Sequence, residues 1–155
     1  MIKFHDVSKN YAHNIKVLNT INLHIKPGEF VSIVGQSGTG KTTLIKTIIG
    51  EEKVSSGKII IGGWDITNIG QNEVPFLRRQ LGVIFQDFKL LQKKTLFENA
   101  AFALQVCGQP PAKIKNVVSQ VMKIVGLDEK MARYPQEVSG GEQQRAVIAR
   151  ALVHR

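Results

Sequence analysis

Apolar and polar positions along this chain form two alternating segments, two short apolar runs and a series of helical faces. Residues 2–7 and 21–25 alternate, as in Ile21-Asn22-Leu23-His24-Ile25, which is the period of a strand with one buried face. Pro27-Gly28 then marks a turn. Phe30-Val31-Ser32-Ile33-Val34 is almost continuously apolar, the form expected of a strand covered on both faces, and it runs straight into a glycine-rich loop. Over residues 42–49 the spacing turns helical, with Leu44, Ile45, Ile48 and Ile49 on one face and Gly50 as the stop. Residues 57–62 and 81–85 read as further strands, and 73–80 between them as a short helix with Pro75 in its first turn. Helices are expected over 96–106, over 111–125 with Pro111 at its start and Gly126 after it, and from about 141 to 153. Short strands interleaved with amphipathic helices predict an α/β fold. No internal repeat, low-complexity tract or Ser/Gly linker interrupts the pattern.

The strand, loop and helix around residue 40 carry the chemistry. Gly35-Gln36-Ser37-Gly38-Thr39-Gly40-Lys41-Thr42 fits G-x-x-x-x-G-K-[ST] in the context that such a motif requires, after one strand and at the opening of a helix. Glycines let the backbone curl so that successive N–H groups point inward at phosphate oxygens, and the helix N-terminus adds its positive end. Lys41 is expected to reach the β- and γ-phosphates of a bound nucleotide. The Thr42 hydroxyl suits Mg²⁺, a hard cation that takes oxygen ligands, and Thr43 suits the α-phosphate.

Composition narrows the picture. With 155 residues, 43% of them hydrophobic and 21% charged, the chain has the make-up of an ordinary folded domain. No apolar stretch approaches the roughly 18 residues a spanning helix needs, and the first residues, Met1 to Asp6, mix polar and apolar without a signal-peptide pattern. A cytoplasmic protein is expected. Cys107 is the only cysteine, so no internal disulfide forms, and it is expected to pack within a helix. The net charge of +9 is scattered, with short pairs only at Arg78-Arg79 and Lys93-Lys94. That favours a solvated basic surface over a nucleic-acid face, and leaves proximity to an anionic membrane compatible.

Beyond the phosphate loop the chain resembles the ABC ATPases. Their loop, G-x-S-G-x-G-K-[ST]-T, is matched at every fixed position from Gly35 to Thr43. Val138-Ser139-Gly140-Gly141-Glu142-Gln143-Gln144-Arg145 resembles the family signature, which usually opens Leu-Ser-Gly-Gly-Gln; Val138 and Glu142 depart from it. The resemblance implies an ABC-type P-loop NTPase with a RecA-like parallel core, an antiparallel β subdomain and an α-helical subdomain. Residues 1–87 would form the β subdomain and phosphate-loop core, 88–140 the helical subdomain and 141–155 the signature helix. It further implies that Tyr11 stacks on adenine, that Gln86 contacts Mg²⁺ and senses a transmembrane partner, and that Ser139, Gly140, Gly141 and Glu142 contact ATP held by a second subunit. Two copies would thus close over two composite sites.

Within the family, Pro75-Phe76-Leu77-Arg78-Arg79 followed by Phe85-Gln86-Asp87-Phe88-Lys89-Leu90-Leu91 resembles the cell-division branch. The ATPases of lipoprotein-release and macrolide-export systems are its nearest rivals, and they more often differ at Asp87 and Lys89. The branch implies an ATPase on the cytoplasmic face of the membrane whose transmembrane partner controls cell-wall hydrolysis, without moving a solute. Residues 86–97 would receive that partner, with Phe88, Leu90 and Leu91 either docking it or buried in the helical subdomain.

Hydrolysis in this family uses an aliphatic run ending Asp-Glu and a later histidine. Ile59-Ile60-Ile61 runs into Gly62-Gly63, Val83-Ile84-Phe85 runs into Gln86-Asp87, and His5, His13, His24 and His154 stand in the wrong places. The sequence therefore reads as a C-terminally truncated fragment with catalytic residues absent, expected to bind ATP and to hydrolyse it negligibly. Apolar faces left uncovered are expected to limit its solubility.

Overall fold

The computed structural model describes residues 1–12 and 15–153, which fall into two compact units, Met1–Arg78 and Arg79–Arg155. His13 and His154 lie outside the described residues. The first unit is built on a four-stranded antiparallel sheet in the order β2-β1-β3-β4, with β1 Ile2–Tyr11, β2 Ile15–Ile25, β3 Ser56–Ile61 and β4 Trp64–Asp65. Helix α1 spans Lys41–Ile48, and α2 spans Val74–Arg79, all but its last residue in this unit. Phe4 and Val7 of β1, Leu18 of β2, and Ile59 and Ile61 of β3 are buried, as are Leu44 and Ile48 of α1 and Leu77 of α2. Ile59 and Ile61 follow period 2 and Leu44 and Ile48 a four-residue step, while Phe4 and Val7, three apart, share the buried face because the register shifts between them.

Both β1 and β2 are longer than their alternating cores. The polar stretch from Ser8 to Tyr11 stays in the ladder because side chains complete it: Thr20 N–H donates to Ser8 Oγ at 2.9 Å and Asn10 N–H to Ser55 Oγ at 3.0 Å. Asp6 and Thr20 sit at positive φ, where the register between the strands shifts. Asn22 clamps the first of these irregularities, accepting from Asp6 N–H at 3.0 Å and donating to Asp6 Oδ1 at 2.8 Å. Tyr11 is accordingly the last residue of β1, opposite Ile15, and does not lie beyond the strand as the alternation indicated.

Two expected strands do not form. Residues 30–34 and 81–85 carry no sheet pairing among the described residues, and the sheet found there has no parallel pair. Phe30 is 95% exposed and Val34 86%. A continuous apolar run states that a segment needs cover on both faces, but it supplies neither the neighbour nor the hydrogen bonds that make it a strand.

The second unit is helical. It contains α3 Leu96–Val106, α4 Pro111–Ile124 and α5 Gly140–Leu152, with single 3₁₀ turns at Asp128–Lys130 and Pro135–Glu137. Leu96, Ala100 and Leu104 line one face of α3 and Ile114, Val118 and Met122 one face of α4, all packed into a core with Leu127, Ala146 and Val147. Thr95 and Glu98 close a reciprocal cap on α3, and Pro111 occupies the first position of α4, where its missing N–H costs nothing. Cys107 caps the C-terminus of α3 and is half-buried.

One polar residue organises this core. Asn99 is fully buried in α3; its Oδ1 accepts from Leu91 N–H at 2.7 Å, and its Nδ2 donates to the carbonyls of Leu91, Lys94 and Thr95 at 3.1, 3.1 and 2.9 Å. Nothing in its sequence context announced it. Replacing it with leucine removes the side-chain partner of the Leu91 N–H and the Lys94 carbonyl, while the Leu91 and Thr95 carbonyls keep the N–H groups of Lys94 and Asn99, so Asn99→Leu is expected to cost about 2 kcal/mol in urea denaturation. A loss near zero would show that water reaches the segment 91–95.

Candidate functional site

Helix α1 begins differently from α3 and α5. Its N-cap, Gly40, offers no side-chain hydrogen bond and its first turn holds no acidic residue, whereas α3 and α5 are both closed by a Glu side chain in a capping box. The first N–H groups of α1 are thus left for an external anion, with the positive end of the helix behind them. Gly40 adopts φ +90, and a Cβ there would lie 2.7 Å from the carbonyl oxygen of Val17 on β2. Only glycine brings the loop this close to the sheet.

Lys41 folds back over the loop. Its Nζ donates to the carbonyls of Gly35 at 2.8 Å and Gln36 at 2.5 Å and lies 3.4 Å from Thr39 Oγ1, while the Thr39 hydroxyl donates to the same Gln36 carbonyl at 2.9 Å. These acceptors are neutral, so an arriving phosphate offers the ammonium a stronger partner than the ones it leaves. Ser37, Gly38 and Thr42 are exposed, and Thr43 is half-buried on the first turn.

The strand pair links this loop to Tyr11. Val17, against which Gly40 packs, is two residues along β2 from Ile15, the partner of Tyr11, so the aromatic ring and the loop share one end of the sheet. Two residues of strand span about 7 Å, the scale separating a base from its phosphates. Tyr11 is 37% exposed, enough to offer a ring face.

Gln86 and the Ser-Gly-Gly segment belong to the second unit. Gln86 is exposed in a turn, followed by Phe88 and Lys89 at φ +55 and +46. Non-glycine residues in that region cost about 1–2 kcal/mol each. Arg150 of α5 holds them there, its guanidinium donating to the Phe88 carbonyl at 2.9 Å and the Lys89 carbonyl at 2.7 Å. Periodicity places Arg150 on a helix but says nothing of this clamp. Of the three candidate docking residues, Leu90 is buried in the core and Phe88 packs against it, while Leu91 is 39% exposed.

Ser139 caps α5 as its sequence context indicates. Its Oγ accepts from Glu142 N–H at 3.4 Å and its own N–H and hydroxyl donate to Glu142 Oε2 at 2.9 and 3.0 Å. Lys130 donates to the other carboxylate oxygen at 2.5 Å. These donors, Lys130 first, pull the Glu142 pKa down to about 2. A depressed carboxylate stabilises the fold above its ordinary value of 4.5 and loses that contribution as pH falls toward 2. Asp65, held to about 2 chiefly by the Thr67 hydroxyl, behaves in the same way from 3.8 downward. Thermal melts between pH 5 and 2 are expected to show falling stability, less steep in Glu142→Gln; an unchanged slope in that variant would remove Glu142 from the account.

A phosphate-ready loop between a strand pair and a helix, in one chain with a capped Ser-Gly-Gly helix, defines a P-loop nucleotide-binding module, and the family model for ABC transporters matches residues 18–155. The chain belongs to that family. It is 51% identical over 154 residues to the cell division ATP-binding protein FtsE of Bacillus subtilis, covering 99% of this chain and 68% of that protein. To FtsE of Escherichia coli it is 46% identical over 155 residues, covering all of this chain and 70% of that one. Among solved structures it is similar to the dimeric ATP-binding cassette MJ0796 in a post-hydrolysis state bound to ADP and Pi. There the TM-score is 0.89 with 33% identity, over 99% of this chain and 70% of that chain. The ABC ATPase fold follows from these likenesses. Tyr11 precedes the residues matched by the family model, and its stacking role is what the resemblance implies.

Proposed function

We propose that this chain is the ATP-binding part of an FtsE-like ATPase that couples nucleotide binding to a transmembrane partner of the FtsX type at the cytoplasmic face of the membrane. The observation that carries it is the uncapped N-terminus of α1 beneath a loop whose lysine is engaged only by neutral oxygens in its recorded bonds, in a chain half identical to FtsE. ATP would lie along residues 35–43, with Lys41 at the β- and γ-phosphates, Thr43 at the α-phosphate and adenine on Tyr11. The exposed Thr42 hydroxyl fits Mg²⁺: among the described residues no cluster of His, Cys, Asp or Glu makes an all-protein cage, and Mg²⁺ characteristically completes its shell with phosphate and water oxygens. When bound, that ion would neutralise phosphate charge, with Gln86 as its second protein contact.

Ser139, Gly140, Gly141 and Glu142 would meet ATP held by a second copy, a reading supported by the dimeric state of the similar cassette MJ0796. We read 1–87 as the β subdomain and phosphate-loop core, 88–140 as the helical subdomain and 141–155 as the signature helix. No helix among the described residues is long and apolar enough to cross a membrane. Exposed Leu91 is the docking residue that remains of the three considered.

Because the sequence carries no aliphatic run ending in Asp-Glu, the purified chain is expected to bind Mg-ATP in calorimetry and to release no phosphate above background. Phosphate release that disappears in Lys41→Ala would show that another carboxylate takes the glutamate's place.

A further inference from the structure

Tyr11 does not stand alone at the end of β1. Two residues earlier on the same strand, Lys9 extends its ammonium over the Tyr11 ring, 4.8 Å from the centroid. That ammonium also donates to the Lys53 carbonyl at 2.7 Å and pairs with Glu52 at 2.9 Å, and its side chain is only 13% exposed. Glu52 in turn is held below the usual carboxylate range, first of all by the Lys9 ammonium that pairs with it. One face of the ring is therefore covered by a cation that Glu52 and the Lys53 carbonyl hold in place. The other face is the one left to a ligand, since the residue is still 37% exposed.

This arrangement does more than hold the ring still. A cation on one face draws π-electron density toward itself and leaves the opposite face poorer in electrons, which strengthens stacking with an electron-rich purine. Anchoring the ring in the free protein also removes the rotational freedom that stacking would otherwise have to freeze. Glu52 and Lys53 follow α1 in the chain, so the segment leaving the phosphate-loop helix is the one that grips the base platform.

We infer that Lys9 and Glu52 are positioning residues for base recognition, setting the Tyr11 ring as a one-sided platform for adenine. The inference rests on the reading of Tyr11 as the stacking residue. It predicts an effect confined to ligands that carry a base, because neither residue is engaged with the loop 35–43 in any contact the structure records.

The test is calorimetry on the full chain with two probes, Mg-ATP and Mg-tripolyphosphate, alongside thermal melts of every variant. Lys9→Met is expected to weaken ATP about fivefold, the scale of a partly desolvated cation–π contact, and to leave tripolyphosphate unchanged. Lys9→Arg, which keeps both the cation over the ring and the ion pair, is expected to restore most of the loss. Glu52→Gln removes the ion pair that fixes the ammonium over the ring, so a smaller, base-dependent loss is expected. Equal weakening of both probes, or no weakening of either, would overturn the inference by reducing the pair to general electrostatics or simple strand support. Tyr11→Ala separates the layers: if it loses ATP affinity while Lys9→Met does not, the positioning role alone fails. Should Tyr11→Ala bind ATP normally, the platform reading fails and takes this inference with it.

Discussion

Lys41→Ala is expected to weaken Mg-ATP binding roughly a hundredfold, from the loss of about 3 kcal/mol in charge-assisted hydrogen bonds to phosphate. The variant is expected to fold normally. The lysine's recorded partners are the Gly35 and Gln36 carbonyls and Thr39 Oγ1 on an exposed loop, where water takes its place. Lys41→Arg is not expected to rescue, because a planar fork cannot occupy the position of a compact ammonium above a loop this tight. Calorimetry with matched melting curves checks both points. Binding within a few-fold of the parent in Lys41→Ala would mean that the anion is held by the N-terminus of α1 alone.

The second large effect falls on stability. Gly57 lies at φ +90 on β3 where it crosses β1, and a Cβ there would stand 2.4 Å from the Asp6 carbonyl oxygen and 2.5 Å from Val7 Cα. Both neighbours are backbone of β1, where Val7 pairs with Ile21 of β2 and the flanking His5 and Ser8 pair with Lys58 and Ser56 of β3, so neither can retreat without disturbing these pairings. Gly57→Ala is expected to destabilise the chain by about 3 kcal/mol or more, combining the left-handed strain with the clash. Gly63→Ala provides the control: its φ is also +90, but nothing lies within 4 Å of its would-be Cβ. It carries the conformational cost alone, about 1–2 kcal/mol. Equal losses in urea denaturation would mean that β1 yields to the extra methyl group and that the close crossing is not a constraint.

These two predictions draw on different depths of information. Lys41 is legible from spacing, because a glycine-rich loop between an apolar run and a helical face leaves few other uses for the lysine that follows it. The helices α3, α4 and α5 were equally legible, since their apolar residues repeat at three and four and Pro111 and Ser139 stand at the starts of two of them. Gly57 was not: a glycine opening a strand looks the same whether or not another backbone passes 2.4 Å from it. Asn99 and Arg150 are similar cases, polar residues in helices whose hydrogen bonds reach segments that folding alone brings alongside.

Local order along the chain was enough to determine what depends on near neighbours. That includes the helical periods, the caps, the phosphate-binding loop, the Ser-Gly-Gly helix start and the resemblance to ABC ATPases, because each is a property of a few consecutive residues. Pairing was left to the tertiary structure. It extended β1 through four further residues, from Ser8 to Tyr11, by means of Ser8 and Ser55, withheld strand status from residues 30–34 and 81–85 among those described, and set Lys9 and Glu52 around Tyr11. The physical reason is that a strand and a platform both exist only through a partner distant in sequence, and hydrophobic pattern encodes the need for that partner without its identity.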